Sequence, residues 1–118
     1  HVIVVSASFN GIVEPAARRI GADAQISTLM ERDEAGYYTG KMKGFAVEGP
    51  QKLILVHEFA DAAYGVGNWE LSRAYGDHHS DGTLLAAAKE PVAVDPDRGL
   101  GRRAREEGWR IVEWLDKA

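Results

Sequence analysis

The sequence contains no cysteine, so the chain can form neither a disulfide nor a thiolate metal site. A reducing compartment suits such a chain, and a cytoplasmic location is expected. It also lacks any apolar run near the roughly 20 residues that a membrane span needs. The short run Val2 to Val5 has neither the length nor the basic flank of a signal peptide. Positive charge is scarce: 14 Lys and Arg stand against 18 Asp and Glu, a formal charge of −4, and the basic residues gather only at Arg102, Arg103 and Arg105. That balance argues against a nucleic-acid face and leaves those arginines as one solvated side of a helix. Internal repeats and low-complexity linkers are absent as well. The 118 residues fit one domain, in which about two-thirds of the unfolded surface can be buried. His1 stands directly before a strand pattern, without methionine or lead-in. The chain therefore reads as cut from something longer.

What is present is an alternation of strand and helix patterns. Val2-Ile3-Val4-Val5 is a β-branched run of the kind buried on both faces of a parallel sheet. Ser6-Ala7-Ser8-Phe9-Asn10-Gly11 follows as a small, polar loop where backbone amides can approach a ligand. A helix is expected over Ile12 to Ile20, with Pro15 near its start and Gly21 as its stop. Ala24 to Leu29 reads as a strand, and Glu31 to Gly44 as a hairpin turning at Glu34-Ala35-Gly36, a possible border of a substrate entrance. Pro50 opens a helix through Ala63 whose buried face is Leu53, Val56, Phe59, Ala60 and Ala63. Leu71 to Tyr75 is a further strand, Thr83 to Ala88 a helix, and Pro91 to Val94 a strand. Asp95-Pro96-Asp97 reads as a plain turn, Arg98 to Glu107 as a helix closed by Gly108, and Trp109 to Trp114 as a last strand. The expected class is α/β: a three-layer, mainly parallel sheet with helices on both faces.

The chemistry concentrates at Tyr75-Gly76-Asp77-His78-His79-Ser80-Asp81, where a strand gives way to a helix. Asp77 and Asp81 would lie at the carboxyl end of that strand, where open α/β sheets bind ligands. Two carboxylates about 4 Å apart at an effective dielectric near 20 repel by roughly 4 kcal/mol, which a bound cation removes. Oxygen donors favour Mg²⁺, which keeps several waters and takes only one or two protein carboxylates. A phosphate would find small residues at Ser6, Ala7 and Ser8, an ammonium at Lys52 and the cation held by Asp77 and Asp81. Each signal alone has a plainer reading: a helix start, a solvated lysine, an N-cap. Their succession after α/β strands raises the phosphate reading above these. His78 and His79 suggest zinc with Asp77, Asp81 and His57, but adjacent side chains tend to point apart, which favours loop histidines at a site mouth. Tyr37, Tyr38 and the tryptophans read as packing.

Val2 to Ser8, Tyr38-Thr39-Gly40, Gly49-Pro50-Gln51-Lys52, Tyr75 to Asp81 and Pro91 to Asp97 together resemble the phosphoserine-phosphatase-like branch of the haloacid dehalogenase superfamily. The likeness runs in order over nearly the whole chain. It implies a Rossmannoid, Mg²⁺-dependent phosphomonoester hydrolase acting through an aspartyl-phosphate. By that likeness Ser6 hydrogen-bonds the phosphoryl group, Lys52 offsets charge, Asp77 is a metal ligand and Asp81 supports the metal and its waters. Ala7 and Ser8 lie beside the phosphate, and Ser8 and Ser80 flank these residues within reach of substrate or the metal's shell.

The chain departs from the family in one large respect. The family's nucleophile and general acid/base are the aspartates of an Asp-x-Asp-x-Thr/Ser loop, followed by a helical cap, both ahead of the strand that ends at Ser6. Neither is found in these residues, and Asp95 and Asp97 follow the wrong strand to replace them. The resemblance thus implies the carboxyl-terminal part of a phosphatase core, with the first central strand supplied by an upstream segment or a partner chain. On its own this part should not turn over. Two other classes compete: a non-catalytic HAD-like or phosphate-binding α/β module, and a nucleotide-binding oxidoreductase. The second lacks its Gly-x-Gly-x-x-Gly turn, since only Gly11 is present after the first strand.

Overall fold

The β-branched run opens a strand, β1 (Ile3–Phe9), and a helix, α1 (Asn10–Arg19), follows without a loop between them. In the computed structural model, which describes residues 1–44 and 46–114, the segment Ser6 to Ser8 is therefore strand and not the expected loop. Tertiary hydrogen bonding keeps it extended. β1 pairs in parallel with β2 (Ala24–Arg32), and the register shifts between Ser6 and Phe9. Across this irregular stretch the buried Thr28 hydroxyl donates to the Ala7 carbonyl at 2.9 Å and accepts the Val47 amide at 2.9 Å. One side chain thus holds β1, β2 and the segment leading to the next helix.

α1 buries only Val13 and Ala17, carries Pro15 within it, and ends where Gly21 takes a φ of 73°. β3 (Tyr38–Lys43) returns antiparallel to β2 through a turn closed by Asp33, whose Oδ1 accepts the Ala35 and Tyr37 amides. Every residue of β3 is exposed. Tyr38 packs edge-on against Phe9 at 5.6 Å and lies under the Arg32 guanidinium, whereas Tyr37 is 72% exposed and packs little. α2 (Pro50–Tyr64) buries Val56 and Ala60 and half-buries Leu53 and Phe59, but Ala63 of its expected inner face is exposed.

By contacts the chain divides at α2 into two units, His1–Val56 and His57–Ala118. The second unit holds β4 (Arg73–Gly76), a 3₁₀ turn at His79–Asp81, α3 (Gly82–Ala86), β5 (Glu90–Val94), α4 (Arg98–Glu107) and β6 (Arg110–Val112). Its strands run parallel in the order β4-β5-β6, and those of the first unit follow the order β1-β2-β3, so β1 and β4 are each an edge of their own sheet. The core of this unit is Ala74, Leu85, Ala93, Leu100 and Ala104, with Leu84, Ala88 and Trp109 against it. Fully burying a leucine contributes about 1.5–3 kcal/mol, and Leu85 and Leu100 are the largest side chains so buried. α4 begins and ends where the sequence indicates. Asp97 caps it by accepting the Leu100 amide, and Gly108 closes it at a φ of 73°. Arg102, Arg103 and Arg105 are exposed as expected. Arg103 also lies over the Trp109 ring. Trp69 donates to Asp61 Oδ1 at 2.8 Å and meets His57 edge-on.

Replacing Thr28 with valine keeps its shape and strands the Ala7 carbonyl and the Val47 amide. A buried group left unpaired costs about 1–3 kcal/mol. Thr28→Val is expected to destabilise by roughly 2 kcal/mol or more in urea denaturation, while Thr28→Ser, which keeps the hydroxyl, stays within about 1 kcal/mol.

Candidate functional site

β4 ends at Gly76, and Asp77 begins the loop that turns into α3. Gly76 does not use the backbone freedom of glycine, since its φ is not among the positive ones. The structure requires glycine here for space. A Cβ at position 76 would fall 2.9 Å from both Asp81 Cβ and Leu85 Cδ1, and 3.0 Å from Asp81 Oδ2. Asp81 therefore lies directly over the last residue of β4. Its carboxylate is 7% exposed, and Oδ2 accepts the His78 amide over a long 3.4 Å. His78 answers by accepting the Ser80 amide on Nδ1, so the pair forms a capping box around the 3₁₀ turn. The plain N-cap reading of the second aspartate is thus realised in part, and the helix beyond begins at Gly82, one residue before the expected Thr83.

Asp77 and Asp81 thereby share one short loop at the carboxyl end of β4, the first exposed and the second buried. As donors they are carboxylate oxygens only. Such a set fits a hard divalent cation such as Mg²⁺ and does not fit a soft one. Ser6 and Lys52 belong to the other unit. Ser6 is half-buried in β1, and its Oγ accepts the Ser8 amide at 3.1 Å, leaving the hydroxyl proton to donate elsewhere. Lys52 is half-buried in the first turn of α2. Ala7 and Ser8 are exposed.

The histidines correct a sequence expectation. His78 and His79 do not point apart: their rings lie 4.0 Å centroid to centroid at an interplanar angle of 34°. Both approach Asp97, which is no plain turn residue. Asp97 Oδ1 accepts Leu100 N, and Oδ2 accepts His79 N at 2.9 Å and meets His79 Nδ1 at 2.9 Å. The Asp97 amide in turn donates to the Asp77 carbonyl at 2.8 Å. These contacts fasten the acidic loop to the start of α4. The sequence carried only one trace of this: Asp97 stands one residue before a helix, as an N-cap does.

The Leu100 and His79 amides hold the Asp97 carboxyl at about 2, below its usual 3.8. A carboxyl lowered on folding contributes stability above its unfolded value and loses it as pH falls through the folded value. Stability of the wild type should therefore fall as pH is lowered from about 4 to about 2, over which its advantage over Asp97→Asn shrinks. An equal gap at all pH values would exclude this role. Gly76→Ala, measured by urea denaturation at neutral pH, should cost about 1–3 kcal/mol, since Asp81 or Leu85 must move to admit a methyl.

Comparison with known proteins extends the picture beyond the loop. The haloacid dehalogenase-like hydrolase family matches residues 1–86. The chain is 37% identical over 115 residues to the "Inhibition of morphological differentiation protein" of Streptomyces azureus, covering 96% of this chain and 40% of that one. It is also 37% identical over 113 residues to a "Probable phosphatase" of Mycobacterium tuberculosis, covering 96% of this chain and 38% of that one. Among solved structures, a Bordetella pertussis protein of unknown function superposes with a TM-score of 0.85 at 29% identity, over 96% of this chain and 51% of the other. A probable phosphoserine phosphatase of Vibrio cholerae superposes with a TM-score of 0.71 at 22% identity, over 86% and 31%, which speaks to the fold alone. The chain thus spans about two-fifths of these curated relatives' length.

Proposed function

Because the chain belongs to the haloacid dehalogenase-like hydrolase family, we propose that it is part of a Mg²⁺-dependent, cytoplasmic phosphomonoester hydrolase. The observation that carries this reading is the Asp77–Asp81 loop at the end of β4, with the second carboxylate buried against Gly76. Two carboxylates in one short loop offer the oxygen donors that a hard divalent cation takes. Asp77 and Asp81 are the residues that would hold Mg²⁺, and when bound the cation offsets negative charge on the phosphoryl oxygens.

The chain's own residues do the rest. Ser6 donates its hydroxyl to a phosphoryl oxygen, consistent with an Oγ that already accepts the Ser8 amide. The Lys52 ammonium offsets charge on the phosphate, and the Ala7–Ser8 backbone lies alongside it. Such positioned charge is most of what phosphoryl transfer asks of a protein. The nucleophile is an aspartate outside these 118 residues, in an upstream segment or a partner chain, because no Asp-x-Asp-x-Thr/Ser loop occurs within them. It attacks phosphorus and displaces the substrate's alcohol to give an aspartyl-phosphate, which water then hydrolyses to inorganic phosphate and the free aspartate. The strand bearing it pairs with an open sheet edge such as that of β4.

The test is hydrolysis of a generic phosphomonoester by the full-length protein. Activity should vanish with EDTA and return with Mg²⁺, and Asp77→Asn should lower kcat about 100-fold or more, the scale seen when one transition-state donor is removed. The 118-residue chain alone should be inactive. Should it turn over and lose that activity with Asp77→Ala, the nucleophile lies within it. Full-length protein that binds Mg²⁺ without hydrolysis would favour the non-catalytic module.

A further inference from the structure

The stacked histidines and Asp97 make a constellation that the phosphatase reading does not use. One ligand atom from each of His78, His79 and Asp97 lies within 4.8 Å of the others, the one such trio of histidine and acidic groups among the described residues. Two of the separations are informative. Asp97 Oδ2 is 3.8 Å from His78 Nε2 and 2.9 Å from His79 Nδ1. A tetrahedral Zn²⁺ with bonds of about 2.0–2.2 Å sets neighbouring ligand atoms about 3.4 Å apart. The observed pair of distances straddles that value, and all three ligand atoms lie within 4.8 Å of one another, so the two imidazoles draw together as the ion binds.

We propose that His78 Nε2, His79 Nδ1 and Asp97 Oδ2 form a second cation site, specific for Zn²⁺ or a similar borderline transition metal, separate from the oxygen-only pair Asp77 and Asp81. Two imidazoles and a carboxylate are the donor set that Zn²⁺ takes and Mg²⁺ does not. The three ligands leave a fourth position to water, and the half-exposed rings give the ion a path in from solvent. The surroundings supply what metal-bound histidines need, a partner for the other ring nitrogen. With Nε2 on the metal, His78 Nδ1 carries the ring proton and donates to Ser80 Oγ 2.7 Å away, giving up the Ser80 amide that it otherwise accepts. His79 Nδ1 exchanges the Asp97 carboxylate for the ion, with its ring proton on Nε2. The carboxylate is already in place: Asp97 Oδ1 stays on the Leu100 amide while Oδ2 turns from the histidine N–H to the ion. Gly99, whose absent Cβ would sit 3.0 Å from His79 Cβ, lets that ring pack close to the start of α4.

The site does not depend on phosphatase chemistry, so its test uses the metal alone. Tag-free full-length protein is titrated with Co²⁺, read by its visible ligand-field absorption, and then with Zn²⁺ as competitor. Saturation at one equivalent is expected, with Zn²⁺ displacing Co²⁺ and millimolar Mg²⁺ displacing neither. His78→Ala and His79→Ala should each weaken Zn²⁺ binding about tenfold or more, and His57→Gln should leave it unchanged. Asp97→Asn retains an N-capping side chain and should weaken binding likewise. Imidazole NMR signals of His78 and His79 in the wild type, shifting together on addition of Zn²⁺, give a readout independent of variant folding. Absence of saturable binding, or affinity unmoved by both histidine variants, or displacement by Mg²⁺, overturns the proposal.

Discussion

A single carboxylate ties the second unit together at the place where its chemistry lies. Asp97 starts α4 with one oxygen and holds His79 with the other, while its amide reaches the Asp77 carbonyl. Hydrogen bonds to a charged acceptor are stronger than neutral ones, about 1.5–3 kcal/mol against about 1. The loop from Asp77 to Asp81 is thereby fixed at both ends, by Asp97 on one side and by the close approach of Asp81 to Gly76 on the other. A flexible acidic loop would have to pay ordering entropy on binding any cation. This one has been ordered by folding.

Much of the architecture was legible because it follows from local patterning. α4 is bounded by an N-cap aspartate and a left-handed glycine, both visible as letters, and its inner face of Leu100 and Ala104 recurs at helical spacing. β5 and α2 are similarly self-declaring. β1 was misread at its end because small polar residues look like a loop. What keeps Ser6 to Ser8 extended is Thr28, about twenty residues away, and no local rule anticipates a hydroxyl reaching across two strands. The exposure of Tyr37 and Ala63 has the same origin: it depends on which neighbours are present.

The candidate site divides along the same line. The acidic loop could be found in sequence since aspartates four apart after a strand carry their own signal. That Gly76 is needed for room is not visible in sequence, because Asp81 and Leu85 close over it only in the folded chain. Asp97 was dismissed as a turn residue since nothing in the sequence reveals that its oxygens meet a histidine eighteen residues earlier. The histidine pair was judged on the general tendency of adjacent side chains to diverge. In a tight 3₁₀ turn whose first residue is held by a capping box, that tendency fails, and the rings stack.

The placement of the indoles has a practical bearing on any optical study of this protein. All three tryptophans, Trp69, Trp109 and Trp114, fall within His57–Ala118, and none within His1–Val56. Their emission follows one half of the chain. A melting curve recorded by fluorescence would trace that half, while circular dichroism samples both. Coincidence of the two signals would identify a single cooperative transition, and divergence would mean that the halves come apart in sequence.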